Sequence, residues 1–184
     1  FTGVGIIKMD EGLDTGDILL EQKVRIKESD NLLTLSQKLS ILSSNLIYKS
    51  LEIIEKEPKS VKSKLSPQKL KDLEIKYARM ISKEDCKLDL NDSADNIIRK
   101  VKGLYPRTFI IHKGKILKIL NARLLSQTET KSIGKSYTKV DKNYIGQVLE
   151  IFKNEGIVIA TKTEPILIKE IKLEGKNTSK KDQL

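Results

Sequence analysis

The sequence predicts an α/β segment followed by a small all-β domain. Three observations carry that reading. Residues 3–9 and 17–26 are short, apolar, strand-like runs, and they precede a leucine stripe at helical spacing. A polar, basic stretch with two prolines, Pro58 and Pro67, breaks the pattern over residues 58–76. Beyond it, five short strand-like runs recur with turn signals between them.

The elements follow in order. After the second run, Ser29 and Asp30 offer helix-capping side chains. Leu35, Leu39, Leu42 and Leu46 recur at steps of four, three and four, and Leu51 and Ile54 extend the stripe. That spacing places them on one face of a helix running to about Glu57, packed on a sheet. Pro58 stops the helix. Residues 58–76 read as a linker with at most a short helical turn. In the second half, Asp92 or Ser93 can cap a helix whose apolar face is Ile97, Ile98, Val101 and Leu104, ended by Gly103 and Pro106. The strand-like runs are 107–112, 115–125, 144–152, 156–161 and 165–173, with turns around Gly114 and Gly156. They predict a barrel or sandwich, and the polar tail from Gly175 reads as loose.

Charge is unevenly distributed. Residues 1–57 carry seven Lys+Arg against ten Asp+Glu, net −3, and residues 58–184 carry 28 against 15, net +13. A basic second half points to a polyanionic partner. Lys greatly outnumbers Arg, which favours phosphate attraction over bidentate base reading. Aromatic residues make up 4%, so stacking on single-stranded bases is expected to contribute little. Cys86 is the only cysteine, which leaves no internal disulfide and predicts an intracellular, cytoplasmic setting. No Cys/His cluster has metal-ligand spacing, and no run has the length of a membrane span. Phe1 leads directly into a strand-like run, so an N-terminal part of the natural protein is expected to precede it.

The stretch "GVGIIKMDEGLDTGDIL" (3–19) places Asp10, Glu11, Asp14 and Asp17 between two strands, interrupted by Gly12 and Gly16. Asp-Gly pairs commonly make turns, and loops at strand ends also build α/β active sites. Asp10 and Asp17 are expected to accept hydrogen bonds from loop N–H groups.

At "MDEGLDTGD" (9–17) the chain resembles the methionyl-tRNA formyltransferase family, whose signature there is "MDxGLDTGD". Thr2-Gly3-Val4 resembles its "TGVT" lead-in, with Gly5 in place of threonine. Residues 77–106, "YARMISKEDCKLDLNDSADNIIRKVKGLYP", resemble its "YAxKIxKEDxxIDWxxxAxxIxxxIRAxxPxP" stretch. Residues 146–161 and 173–182 also follow the family's C-terminal pattern. Leu90 replaces its tryptophan, a second proline after Pro106 is absent, and Thr163-Glu164-Pro165 stands where Gly-Asp-Gly is common.

The resemblance implies the C-terminal remnant of a Rossmann-like formyltransferase domain (1–57), a basic linker (58–85) and an OB-like tRNA-binding barrel (86–184). It implies formyl transfer from 10-formyltetrahydrofolate, as co-substrate, to the amino group of methionyl-initiator-tRNA, with no metal. Asp14 aligns with the family's catalytic aspartate. Glu11, Gly12, Leu13 and Gly16 are implied around the folate. The family's catalytic Asn and His, in "NxHxSLLPxxRG", match nothing in this chain, so the segment alone is expected to be inactive. His112 reads as an ordinary strand-end histidine and Cys86 as inert. Arg99, Lys100, Lys102, Arg107, Lys113, Lys115 and Lys118 are the candidates for tRNA phosphate contact. The expected partner is initiator tRNA, with no membrane and no DNA, and the complete protein is expected to be a monomer. The alternatives are a non-enzymatic RNA-binding remnant and a formyltransferase acting on a sugar nucleotide.

Overall fold

The computed structural model describes residues 1–12, 14–68, 78–133, 144–174 and 178–180. The chain divides into two compact units, Phe1–Arg79 and Met80–Leu184.

In the first unit, β1 (Thr2–Ile7) and β2 (Ile18–Val24) form an antiparallel pair, with Thr2 opposite Val24 and Ile6 opposite Leu20. Helix α1 (Leu32–Lys56) packs against both strands. Its N-cap is Asn31, one residue beyond the expected Asp30. Asn31 Oδ1 accepts from the Thr34 N–H at 3.0 Å, and Thr34 Oγ1 accepts from the Asn31 N–H at 3.0 Å. This reciprocal pair satisfies two backbone donors that the helix start would otherwise leave open. Asp30 braces the entry instead. Its carboxylate accepts from the Lys27 N–H at 2.8 Å and pairs with Lys38 Nζ, and these contacts, Lys38 foremost, hold it below its ordinary pKa.

The leucine stripe is correct over Leu35, Leu39, Leu42 and Leu46, which are half-buried or buried. It is wrong at its end. Leu51 and Ile54 are 59% and 47% exposed, and Ser50 and Ile53 continue the inner face. Steps of four and three from Leu46 lead to those two positions, so the helix period itself rotates Leu51 and Ile54 away. They border an apolar cleft of ≈ 210 Å³ together with Ile6, Leu19, Val61 and Leu65. The expected helical turn in the linker is α2 (Val61–Lys64). After it, Ser66 pairs with Ile18 through Ile18 N–H to Ser66 O at 2.8 Å and the return bond at 2.9 Å.

The second unit opens with α3 (Lys83–Cys86) and α4 (Ala94–Gly103). It continues through β3 (Phe109–His112), β4 (Lys115–Leu124), α5 (Gln127–Ser132), β5 (Val148–Phe152), β6 (Gly156–Ile159), β7 (Ile166–Leu173) and β8 (Thr178–Lys180). The five runs read from the sequence are β3 to β7. The strands are ordered β3-β4-β7-β6-β5, every pair antiparallel, with β8 also on β7. Among the described residues β3 and β5 do not pair with each other, so the sheet is open. The tail is not wholly loose, because Thr178–Lys180 pairs with Glu170–Lys172 along the free part of β7. Gly175 itself and residues 181–184 lie outside the described residues.

Helix α4 covers this sheet. Ala94, Ile97, Ile98 and Val101 interleave with Ile119, Ala122, Ile159, Ile166 and Ile168 in one core cluster, and Leu90 packs at its margin. Ser93 is the N-cap, its hydroxyl accepting from the Asn96 N–H at 3.3 Å. The Ala94 N–H donates to Thr163 Oγ1 at 3.0 Å, so the β6–β7 turn also caps this helix. The buried hydroxyls are satisfied: Thr108 Oγ1 donates to Ile119 O at 2.7 Å and Thr161 Oγ1 to Glu164 O at 2.6 Å. In a dry core an unpaired hydroxyl would cost about 1–3 kcal/mol.

Candidate functional site

The acidic loop joins β1 to β2. Its base is closed by the Lys8 N–H donating to the Asp17 carbonyl at 2.9 Å. Gly16 is buried there, and a Cβ built on it would lie 1.9 Å from the Lys8 carbonyl oxygen. Only hydrogen fits at that approach.

Within the loop, Asp10 Oδ1 accepts from the Gly12 N–H at 3.1 Å and from Thr15 Oγ1 at 2.6 Å. Asp10 therefore holds the loop through an N–H, as its residue type suggested. Asp17 acts through its backbone carbonyl instead, and its carboxylate makes no hydrogen bond among the described residues. Asp14 is exposed and adopts φ 57°, in the left-handed region. Aspartate tolerates that region better than most residues. Its carboxylate makes no hydrogen bond or ion pair among the described residues. Glu11 and Gly12 are exposed beside it, and Leu13 lies outside the described residues.

A further residue reaches this loop. Gln68 Nε2 donates to the Asp14 carbonyl at 2.9 Å and to the Gly16 carbonyl at 2.7 Å. It lies 54 and 52 residues from them, in the stretch read as a linker, and no spacing rule points to it. Cys86 is buried, with Sγ 3.5 Å from Ser82 O, and His112 is exposed on β3 opposite Lys115. No cluster of three or more His, Cys, Asp or Glu could hold a metal among the described residues. No helix among them is long and apolar enough to cross a membrane.

The basic candidates fall into separate groups. Arg99 sits on the outer side of α4, and Lys100 and Lys102 are half-buried near its end. Arg107 follows that helix, its N–H donating to Leu104 O at 2.8 Å. Lys113 forms the β3–β4 turn with Gly114, both at positive φ, and Lys115 starts β4. At about 3.3 Å per residue, Lys113 lies roughly 20 Å along the hairpin from Arg107. Lys118 lies between them, opposite Phe109 on one side and Lys172 on the other. Lys118 and Lys172 are exposed and share a face, a directly opposed like-charged pair. Sequence periodicity could not reveal Lys172, because its neighbour is set by strand pairing.

Residues 1–51 match the family model described as "Formyl transferase", and residues 80–184 match "Formyl transferase, C-terminal domain". The chain therefore belongs to the formyl transferase family. The methionyl-tRNA formyltransferase of Prochlorococcus marinus (strain AS9601) is 51% identical over 185 residues, covering 100% of this chain and 56% of that protein. The methionyl-tRNA formyltransferase of Synechococcus sp. (strain CC9311) is 34% identical over 195 residues, covering 100% of this chain and 57% of that protein. The chain thus spans little more than half the length of these relatives. Among solved structures, HypX from Aquifex aeolicus in complex with tetrahydrofolic acid superposes with a TM-score of 0.65 at 18% identity. That match covers 96% of this chain and 28% of HypX, a likeness of fold.

Proposed function

We propose that this chain is the C-terminal portion of a methionyl-tRNA formyltransferase, acting in the cytoplasm in translation initiation. The observation that carries the reading is the 51% identity to such an enzyme along the whole chain, acidic loop and basic second half included. The substrates are 10-formyltetrahydrofolate and methionyl-initiator-tRNA. HypX, a fold relative, binds tetrahydrofolic acid, which supports a folate-type donor. Residues 1–57 form the end of a Rossmann-like domain, 58–85 the linker, and 86–184 an OB-like domain.

In this reaction the amine attacks the formyl carbon, an oxyanion develops on the formyl oxygen, and the amine sheds a proton. The tetrahedral adduct then collapses by breaking the bond from the formyl carbon to the folate nitrogen that carried it, and tetrahydrofolate leaves with a proton taken up at that nitrogen. In this proposal Asp14 serves the proton transfer, through water or through an imidazolium that it holds charged. Glu11, Gly12, Leu13 and Gly16 border the folate. The only histidine, His112, belongs to the other unit, and nothing in the chain matches the family's Asn–His pair. The 184 residues by themselves are expected to give no turnover above background.

In the second unit, Arg99, Lys100, Lys102, Arg107, Lys113, Lys115 and Lys118 are the phosphate-binding set, to which the sheet adds Lys172. The net charge of +13 over residues 58–184 supports this role. The same charge favours one second reading, an RNA-binding protein without catalysis.

The test is Asp14→Asn in the protein that carries this chain, assayed for formylation of methionyl-tRNA. The expected result is a loss of kcat of about 100-fold or more with Tm unchanged. Undiminished kcat removes Asp14 from the mechanism. Absence of formyl transfer in the unsubstituted protein, with salt-dependent tRNA binding retained, establishes the non-catalytic reading.

A further inference from the structure

We propose that Gln68 is a positioning residue that holds the Asp14 loop in the shape its chemistry needs, an inference that rests on the role proposed above for Asp14. A side-chain amide carries two N–H donors. Here both are used, one on the Asp14 carbonyl at 2.9 Å and one on the Gly16 carbonyl at 2.7 Å. Those carbonyls belong to the peptide units that follow Asp14 and Gly16. Holding both fixes the Asp14–Thr15 and Gly16–Asp17 peptide planes, which bracket Thr15–Gly16, and with the first of them the direction in which Asp14 leaves the backbone.

The loop has reason to need such a clamp. Asp14 is in the left-handed region at φ 57°, which aspartate tolerates better than most residues but which still costs energy that its surroundings must offset. Its carboxylate makes no bond among the described residues, so the side chain does not anchor itself. Asp10 ties down Gly12 and Thr15, the N-terminal side of the turn and the residue after Asp14. Gln68 takes the two carbonyls that Asp10, an acceptor, cannot engage.

Gln68 is itself well placed. Ser66 exchanges two backbone hydrogen bonds with Ile18, at 2.8 and 2.9 Å, just where β2 leaves the loop. Pro67 then restricts the backbone between that anchor and Gln68. The stretch after α1 thus runs along the hairpin and delivers the amide to the loop. Gln68 lies outside both segments that match the family models, 1–51 and 80–184.

The test compares Gln68→Ala and Gln68→Glu with the unsubstituted protein that carries this chain. Glutamate keeps the length and shape but, ionised, has no donor. Backbone order parameters of Asp14, Thr15 and Gly16 are expected to fall from about 0.85 to below 0.6 in both variants. Those of α1 and the overall Tm stay unchanged. In the formylation assay kcat is expected to fall about tenfold or more while KM for methionyl-tRNA stays within about twofold, because only transition-state geometry is lost. Unchanged order parameters in both variants overturn the clamp. A disordered loop with undiminished kcat overturns its positioning role. An Asp14→Asn variant that keeps full activity overturns the reading of Asp14, and the order parameters still decide the clamp.

Discussion

One methyl group at Gly16 would collide with the Lys8 carbonyl, since its Cβ would lie 1.9 Å from that oxygen. Backbone on both sides leaves no rotamer that relieves the contact. Gly16→Ala is expected to destabilise the protein by about 3 kcal/mol, read as a fall in the urea midpoint at unchanged m. An undiminished midpoint would mean that the loop base opens freely. At Asp10 and Asp14, two carboxylates four residues apart differ in their surroundings. Asp10 is engaged by two loop donors and Asp14 by none among the described residues. A loop-holding residue and the one proposed to react are both acids in a glycine-rich stretch. What separates them is hydrogen bonding, which composition does not encode.

At the scale of elements, the link between β4, α5 and the β5–β6 turn is ionic. Arg123 Nη1 and Nη2 donate to Glu129 Oε2 and Oε1 at 2.7 and 2.6 Å, a two-pronged fork, and Nη2 also lies 3.3 Å from Glu155 Oε2. Glu129 Oε2 further accepts from the Ser126 N–H at 2.6 Å, completing the cap of α5. The Arg123 hydrogen bonds, then the Ser126 N–H, hold the Glu129 carboxyl far below its ordinary pKa. A depressed carboxyl stabilises the fold above its unfolded value, near pH 4.3, and loses that contribution as pH falls toward the folded value. Arg123 is partly solvated, which discounts the pair to about 1 kcal/mol. Glu129→Gln is expected to lower stability by that amount at pH 7 and by progressively less below pH 4. Parallel denaturation curves at pH 7 and pH 3 measure it, and an equal deficit at both would rule out the ionised pair as the cause.

For the molecule as a whole, residues 1–57 carry a net −3 and residues 58–184 a net +13. Lys118 and Lys172 face each other across β4 and β7 without an ion pair among the described residues. Direct opposition of like charges destabilises a sheet, and an anion between them relieves it. The double substitution Lys118→Gln/Lys172→Gln is expected to leave Tm unchanged or slightly raised. It should also reduce the slope of log K for tRNA against log salt by about 1–2. A filter-binding titration over several salt concentrations decides, and an unaltered slope would place the phosphates elsewhere.

Much of this was legible along the chain. The stripe from Leu35 to Leu46, a helix cap at Asp92 or Ser93, the turn around Gly114 and the five runs that became β3 to β7 each depend on residues within a few positions of one another. Local sterics and capping act over that range, so the amino-acid order alone decided them, along with the charge division and the acidic, glycine-flanked loop. Tertiary structure decided what depends on distant partners. It set Thr163 over the start of α4, opposed Lys118 to Lys172, and carried Gln68 back to the Asp14 loop. A hydrogen bond or strand register between residues tens of positions apart arises only when packing brings the two together, and no periodicity within either segment records it.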